Sequence, residues 1–292
     1  MTHNTKDWSR SDIFLNNKIT RPSRTLGYEW LPNAKSGWMK TNSLGMLDKE
    51  RIKFKPDGAY RIICLGDSTT ANSDYVKILE GLLNKNKNPE KFEVWNCAVT
   101  GYGAIQYSRA LEEKWMQYNP DMVIVGFCLN DFVSTPLVTM EQNTLVGYFP
   151  HREILPNVSP FLLKHSALYR FAIMRIFFLK NKNYEDYYKD IVEATRHHIQ
   201  KMRKLCLTSE TRFLIVILGI TRRFEDCDPY LRRSYAEIKE IITECNIESL
   251  DTVPVFQKND PESLMLSDEL HFNRRGNEIV ADEIYRYLTQ ND

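Results

Sequence analysis

The sequence lacks most of the features that would assign it to a functional class at once. No run of about eighteen apolar residues occurs, so no membrane-spanning helix is expected. Excess charge of one sign is also missing. Its 39 Lys and Arg stand against 38 Asp and Glu, interspersed, for a formal charge of +1. A field able to gather nucleic acid is therefore not expected. The six cysteines include no Cys-x-x-Cys and have no His at ligand spacing, which argues against a structural metal site. Cys64, Cys97 and Cys128 lie in or beside apolar runs, where free Cys behaves as a small hydrophobe. His197 and His198 are adjacent on a predicted helix and point to different faces, so a shared metal is not expected there either. The opening Met1-Thr2-His3-Asn4-Thr5-Lys6-Asp7 has no apolar core of a signal peptide. With Met1 as the native start, a cytoplasmic protein is expected. Internal repeats and low-complexity tracts are absent from the sequence.

What is present is an alternation of strand and helix that begins at Tyr60. Arg61–Leu65 is continuously apolar after its first residue, as parallel strands covered on both faces are. Tyr75, Ile78, Leu79, Leu82 and Leu83 then form a helical stripe. Phe92–Asn96 reads as a second strand and Met122–Phe127 as a third. Between them Tyr107, Leu111, Trp115 and Tyr118 stripe a helix that Asn119-Pro120 stops. Phe213–Leu218 is a fourth strand, and Ile247–Phe256 holds a short fifth one broken by Pro254. Helices are expected around Glu237–Ile242 and from Gly276 to Leu288. Such alternation implies a three-layer α/β/α sandwich on a five-stranded parallel sheet, with sites at the carboxyl ends of the strands. Residues 1–59 show little periodicity and read as an N-terminal arm on a domain of residues 60–292. A largely helical insertion occupies about 132–209: an apolar loop, an apolar helix from Ala167 to Leu179 and a charged helix from Tyr184 to Leu207. Thirteen residues cannot span a bilayer, and the apolar helix is expected to pack into a core, with a lid over an acyl pocket and a dimer face as the alternatives.

Three strand ends carry candidate chemistry. Gly66-Asp67-Ser68 follows the first strand, Asn96 to Gly101 the second, and Cys128-Leu129-Asn130-Asp131 the third. Near the chain's other end stands Asp268-Glu269-Leu270-His271. A serine hydroxyl becomes a nucleophile when an imidazole takes its proton and a carboxylate orients that imidazole. Asp268 and His271, three apart in a turn, have the spacing for that relay; Glu269 does not. Ser68 would equally suit a helix cap, Gly103 could make the turn instead of Gly101, and Asp131 is an equal claimant with Asn130. Thr70 stands where a Gly-x-Ser-x-Gly elbow would need its second glycine, which sets the α/β-hydrolase pattern aside.

Taken together, the four blocks resemble the SGNH (GDSL-type) hydrolases, a family named for Ser, Gly, Asn and His, here Ser68, Gly101, Asn130 and His271. The resemblance runs from Leu65 to Gly276 and implies a flavodoxin-like fold. It also implies a catalytic triad of Ser68, Asp268 and His271, and an oxyanion hole formed by the Ser68 backbone, Gly101 and Asn130, working without metal or cofactor. The family often has Gly four residues after the serine, where this chain has Asn72, a residue that tolerates a left-handed backbone. Asn42-Ser43-Leu44-Gly45 is similar to a segment seen upstream of the catalytic domain in some bacterial members. The implied activity is hydrolysis of an acyl ester, with a short acyl group such as acetyl on a carbohydrate favoured. An acyltransferase using the same triad and a non-catalytic binding protein on the same scaffold are the alternatives. The expected partner is a small-molecule or carbohydrate ester, and a homo-oligomer is compatible with the sequence.

Overall fold

A computed structural model of the chain describes residues 19–23, 25–85, 91–132, 137–141, 144–149, 159, 162, 166–180, 184–220, 222–267 and 271–290. Ile52–Val133 and Val192–Asp292 form one compact unit. At its centre lie five strands: β1 (Tyr60–Gly66), β2 (Phe92–Asn96), β3 (Met122–Phe127), β4 (Arg212–Ile217) and β5 (Glu248–Asp251). All neighbouring pairs are parallel, in the order β5-β4-β3-β1-β2. This is the doubly wound, flavodoxin-like order. Its winding reverses between β1 and β3, and the crevice beyond their carboxyl ends is where such folds place ligands.

Both faces of the sheet are buried, as the apolar runs require. Ile62, Cys64, Val94, Ile124, Leu214 and Val216 pack with α1 (Tyr75–Leu83) and with the C-terminal helix Arg274–Gln290, through Val76, Leu79, Val280 and Ile284. Their alternates Ile63, Leu65, Val123, Val125, Ile215 and Ile217 point the other way and are equally buried. Helices therefore flank the sheet, as the strand–helix alternation requires. At the opposite end from the crevice the buried Arg61 guanidinium fills the start of β1. It pairs with Glu93 at 2.7 Å, donates to the carbonyls of Ile52, Lys53 and Tyr118, and lies over the Trp95 ring.

Two local readings change. Pro254 does not break a strand: β5 ends at Asp251, and Pro254 sits in the first turn of the helix Val253–Lys258, where its missing N–H removes no helical bond. The helix striped by Tyr107 to Tyr118 is regular only over Ala104–Ala110. It then widens through Leu111–Trp115, tightens through Met116–Tyr118 and stops at Asn119, whose φ is 50°.

The described residues up to Arg51 and those in 134–191 form a second compact unit. Within the stretch read as an arm, Thr20–Ser23 and Gly27–Trp30 pair as an antiparallel hairpin whose strands are too short to show alternation. Asn42 then fixes a turn: its Oδ1 accepts the N–H groups of Leu44 and Met46, and its Nδ2 donates to the Lys49 carbonyl. Gly45 allows the turn, with φ +70° and no room for a Cβ, which would lie 2.7 Å from the Trp30 carbonyl oxygen. Part of the stretch read as an apolar loop is a second hairpin, Leu137–Glu141 with Thr144–Phe149. Next in the chain come the helices Ala167–Lys180 and Tyr184–Thr208, and β4 follows the second of them in sequence.

Candidate active site

β1 runs through Gly66-Asp67 into the helical turn Ser68–Ala71. Asp67 caps this turn, its carboxylate accepting the Thr69 N–H at 2.8 Å. Ser68 is partly exposed, while Thr69, Thr70 and Ala71 are buried beneath it. Two glycines let the turn sit this close to the sheet. Gly66 and Gly126 face each other across β1 and β3. A Cβ on Gly66 would come within 2.2 Å of the Thr70 hydroxyl, and one on Gly126 within 2.5 Å of it and 2.6 Å of the Tyr75 hydroxyl. Those hydroxyls bond to each other at 2.9 Å. From the end of β2, Asn96 donates to the carbonyls of Thr70 at 3.2 Å and Ala71 at 3.4 Å. Asn72 closes the turn at φ −97°, so no left-handed backbone is needed there.

β3 leads into the tight turn Leu129–Phe132, which separates the two claimants of the third block. Asn130 is exposed, and its amide donates to the second oxygen of Asp67 at 3.4 Å, a long bond. Asp131 turns inward and is buried, accepting from the Tyr107 hydroxyl and the Cys128 N–H, both at 2.9 Å. Gly101 lies past β2 at φ +77°, a left-handed backbone that favours glycine. Gly103, its rival, has φ −135° and serves as the N-cap of Ala104–Ala110. The loop before Gly101 is tied to the end of β1 by the Val99 N–H, which donates to the Gly66 carbonyl at 3.1 Å.

His271 stands in the segment before the C-terminal helix. Its carbonyl accepts the Leu266 N–H at 2.7 Å, and Phe272 makes an antiparallel bridge to Met265. Asn277 fixes this segment to the nucleophile side. Its Nδ2 donates to the carbonyls of Phe272 and Asn273, at 3.1 and 2.9 Å, and its Oδ1 accepts the Tyr75 N–H at 3.0 Å. Asp74, the N-cap of α1, makes no side-chain cap bond, so Asn277 caps that helix from another element. Asp268 and Glu269 lie outside the described residues.

Burial dominates the electrostatics. It raises the Asp67 carboxyl above its ordinary range, against bonds from Thr69 and Asn130 and the nearby His271 charge, which favour the ionised form. Asp131 is pushed well up by burial and then by the Asp67 charge. The Tyr107 hydroxyl rises through burial and the neighbouring Asp131. The link between the fourth block and the nucleophile side is Asn277, which bonds both the Phe272 carbonyl next to His271 and the Tyr75 N–H at the start of α1.

Sequence reading missed three residues that shape the site: Asn96, Tyr107 and Asn277. Asn277 left a signal, because it shares the inward stripe of Val280, Ala281 and Ile284, where a polar side chain needs a partner. Asn96 opens the second block and Tyr107 belongs to a helix stripe, and neither carried a further signal of its role. His197 is exposed and His198 buried, and among the described residues no group of three or more His, Cys, Asp or Glu is placed to hold a metal ion.

Residues 64–279 match the GDSL-like Lipase/Acylhydrolase family. No curated protein matches the chain. Among solved structures the chain is similar to Axe2, an acetylxylan esterase from Geobacillus stearothermophilus, at 15% identity and a TM-score of 0.52 over 78% of this chain and 94% of that one. It is also similar to LAE5, an alpha/beta hydrolase enzyme from the metagenome of Lake Arreo, Spain, at 12% identity and a TM-score of 0.51 over 77% and 94%. A gut microbial diltiazem-metabolizing enzyme, BT4096, gives 16% identity and a TM-score of 0.50 over 80% of this chain and 48% of that one. At these identities the likeness is one of fold.

Proposed function

The chain belongs to the GDSL-like lipase/acylhydrolase family and is a hydrolase, and on that premise we propose that it cleaves an acyl ester through an acyl-serine intermediate on Ser68. The observation that carries this reading is the shared carboxylate of Asp67. One oxygen holds the turn that presents Ser68 and the other holds the Asn130 amide, while Asn277 ties the segment that carries His271 to the helix following that turn. In this mechanism the Ser68 hydroxyl attacks the acyl carbon as His271 takes its proton. His271 then protonates the departing alkoxide, and water, activated by the same imidazole, releases the acid. Asp268 orients the imidazole. Asn130 has two amide N–H groups: one is held by Asp67 and the other would meet the oxyanion, together with the backbone N–H groups of Ser68 and Gly101. The substrate is a short ester, acetyl on a carbohydrate hydroxyl, the linkage class named for the Geobacillus esterase.

A fluorophosphonate probe tests the nucleophile. Labelling should map to Ser68 alone and vanish in Ser68→Ala, and label surviving in that variant unchanged would end the reading. Turnover should fall along a series of p-nitrophenyl esters from acetate to longer chains. Product analysis with an added sugar acceptor separates hydrolysis from acyl transfer.

A further inference from the structure

Helix Ala167–Lys180 presents apolar side chains to solvent. Tyr169 and Ile173, four residues apart, are partly buried, and the Tyr169 hydroxyl accepts the Ser159 N–H at 3.0 Å. Away from them Leu168 is 77% exposed, Phe171 70% and Ile176 45%, with Ala172 and Arg175 exposed alongside. Positions 168, 171, 172, 175 and 176 have the spacing that lines one face of a helix. A stripe with this spacing is expected to face a core; here it faces outward. Large apolar side chains exposed along one helix face point to a contact with another phase or partner.

Charge selects the occupant. Between Glu153 and Glu185 the sequence has no acidic residue, but it has Lys164, Arg170, Arg175, Lys180 and Lys182. A second copy of this chain docked on the same stripe by two-fold symmetry would set two cationic segments against each other. A bilayer carrying anionic headgroups fits both properties: its acyl boundary takes up Leu168, Phe171 and Ile176, and its surface charge attracts the flanking cations. At fourteen residues the helix is about 21 Å long, too short to cross a bilayer and long enough to lie along one. We propose that the outward stripe of Ala167–Lys180 seats the protein on an anionic lipid surface.

The test uses the full-length protein and sedimentation with phosphatidylcholine vesicles, with and without phosphatidylglycerol. Binding is expected only where phosphatidylglycerol is present, and it should weaken as salt rises. Leu168→Ser/Phe171→Ser/Ile176→Ser should abolish it. These side chains are already exposed, so the variant should fold, with kcat on a soluble ester unchanged. Arg175→Glu should weaken binding by about tenfold or more, because it removes an attracted charge and adds a repelled one. Three outcomes would overturn the proposal. One is no binding to anionic vesicles, or equal binding to neutral ones. The second is a dimer in light scattering that the triple variant dissociates. The third is loss of soluble-ester turnover in that variant with vesicle binding intact, which would make the helix a substrate lid.

Discussion

Replacing Asn277 tests whether the segment that carries His271 is held in register with Ser68 by one buried amide. Asn277 makes three side-chain hydrogen bonds, to the Tyr75 N–H and to the carbonyls of Phe272 and Asn273. The Asn273 carbonyl keeps the backbone N–H of residue 277 in any variant, so two groups lose the side-chain partner recorded for them. At roughly 1 kcal/mol per bond, with more for each buried group left unsatisfied, Asn277→Ala should cost about 2–4 kcal/mol of stability. That loss should appear as a lower urea midpoint at unchanged m-value. Tyr75 meets Thr70 beneath Ser68, and Phe272 adjoins His271, so the amide sets the spacing of nucleophile and base. A displacement of about 1 Å between them should lower kcat on p-nitrophenyl acetate by about 10²-fold with little change in KM. Asn277→Asp keeps the acceptor for Tyr75 and loses both donors to the His271 segment, so it should lose kcat as well. Leu288→Ala is the control. It lies at the far end of the same helix, is buried, and should cost about 2–5 kcal/mol of stability with kcat intact. If Asn277→Ala loses the expected stability but turns over at the parental kcat, Asn277 holds the fold together without positioning the base.

Three other perturbations follow from the site. Asn130→Ala should lower kcat by about 10²–10³, roughly 2.7–4 kcal/mol by analogy with other single oxyanion donors, and leave KM nearly alone. If Asn130→Ala is folded and fully active while Asp131→Ala is dead, the functional side chain of the third block is Asp131, contrary to the assignment. Gly126→Ala should destabilise by about 1–3 kcal/mol and depress activity, because its Cβ would meet the Thr70 and Tyr75 hydroxyls. Adding Thr70→Ala and Tyr75→Phe should recover part of the stability, and strict additivity in unfolding experiments would refute the clash. Asp131 has a folded-state pKa well above its ordinary 3.8, so the folded protein holds a proton that the unfolded chain has released. Stability should therefore fall as pH rises from about 4 towards the folded pKa. Asp131→Asn, with its amide oxygen on the Cys128 N–H and its amide group on the Tyr107 hydroxyl, should gain on the parent as pH rises. A stability difference flat from about pH 4 to 7 in urea titrations would contradict the buried acid.

Local patterns were legible because they are repeated along the chain. The apolar runs gave all five sheet strands to within a residue or two, except for the end of β5 at Pro254. Helix stripes gave α1 and the C-terminal helix because burial of one face imposes its own period. Short hairpins such as Thr20–Ser23 with Gly27–Trp30 were not legible, since four residues give too few alternations to count. The helix Ala167–Lys180 was found as a helix, but the exposure of its Leu168, Phe171 and Ile176 was not legible, because composition records that residues are apolar and not what covers them.

The four blocks were likewise visible as residues at strand ends, and the strand–helix alternation itself put three of them on one rim of a parallel sheet. Only the tertiary structure parted Asn130 from Asp131, by sending one side chain out to Asp67 and the other in to Tyr107. Only it showed that Gly66 and Gly126 clear space for Thr70, and that Asn277 reaches an amide 202 residues away. The physical reason is the range of the interactions. Hydrophobic periodicity and backbone preference are set by near neighbours and are written in sequence order. A hydrogen bond or a steric clearance between distant segments depends on which atoms the packed sheet brings within about 3 Å, and no local pattern specifies that.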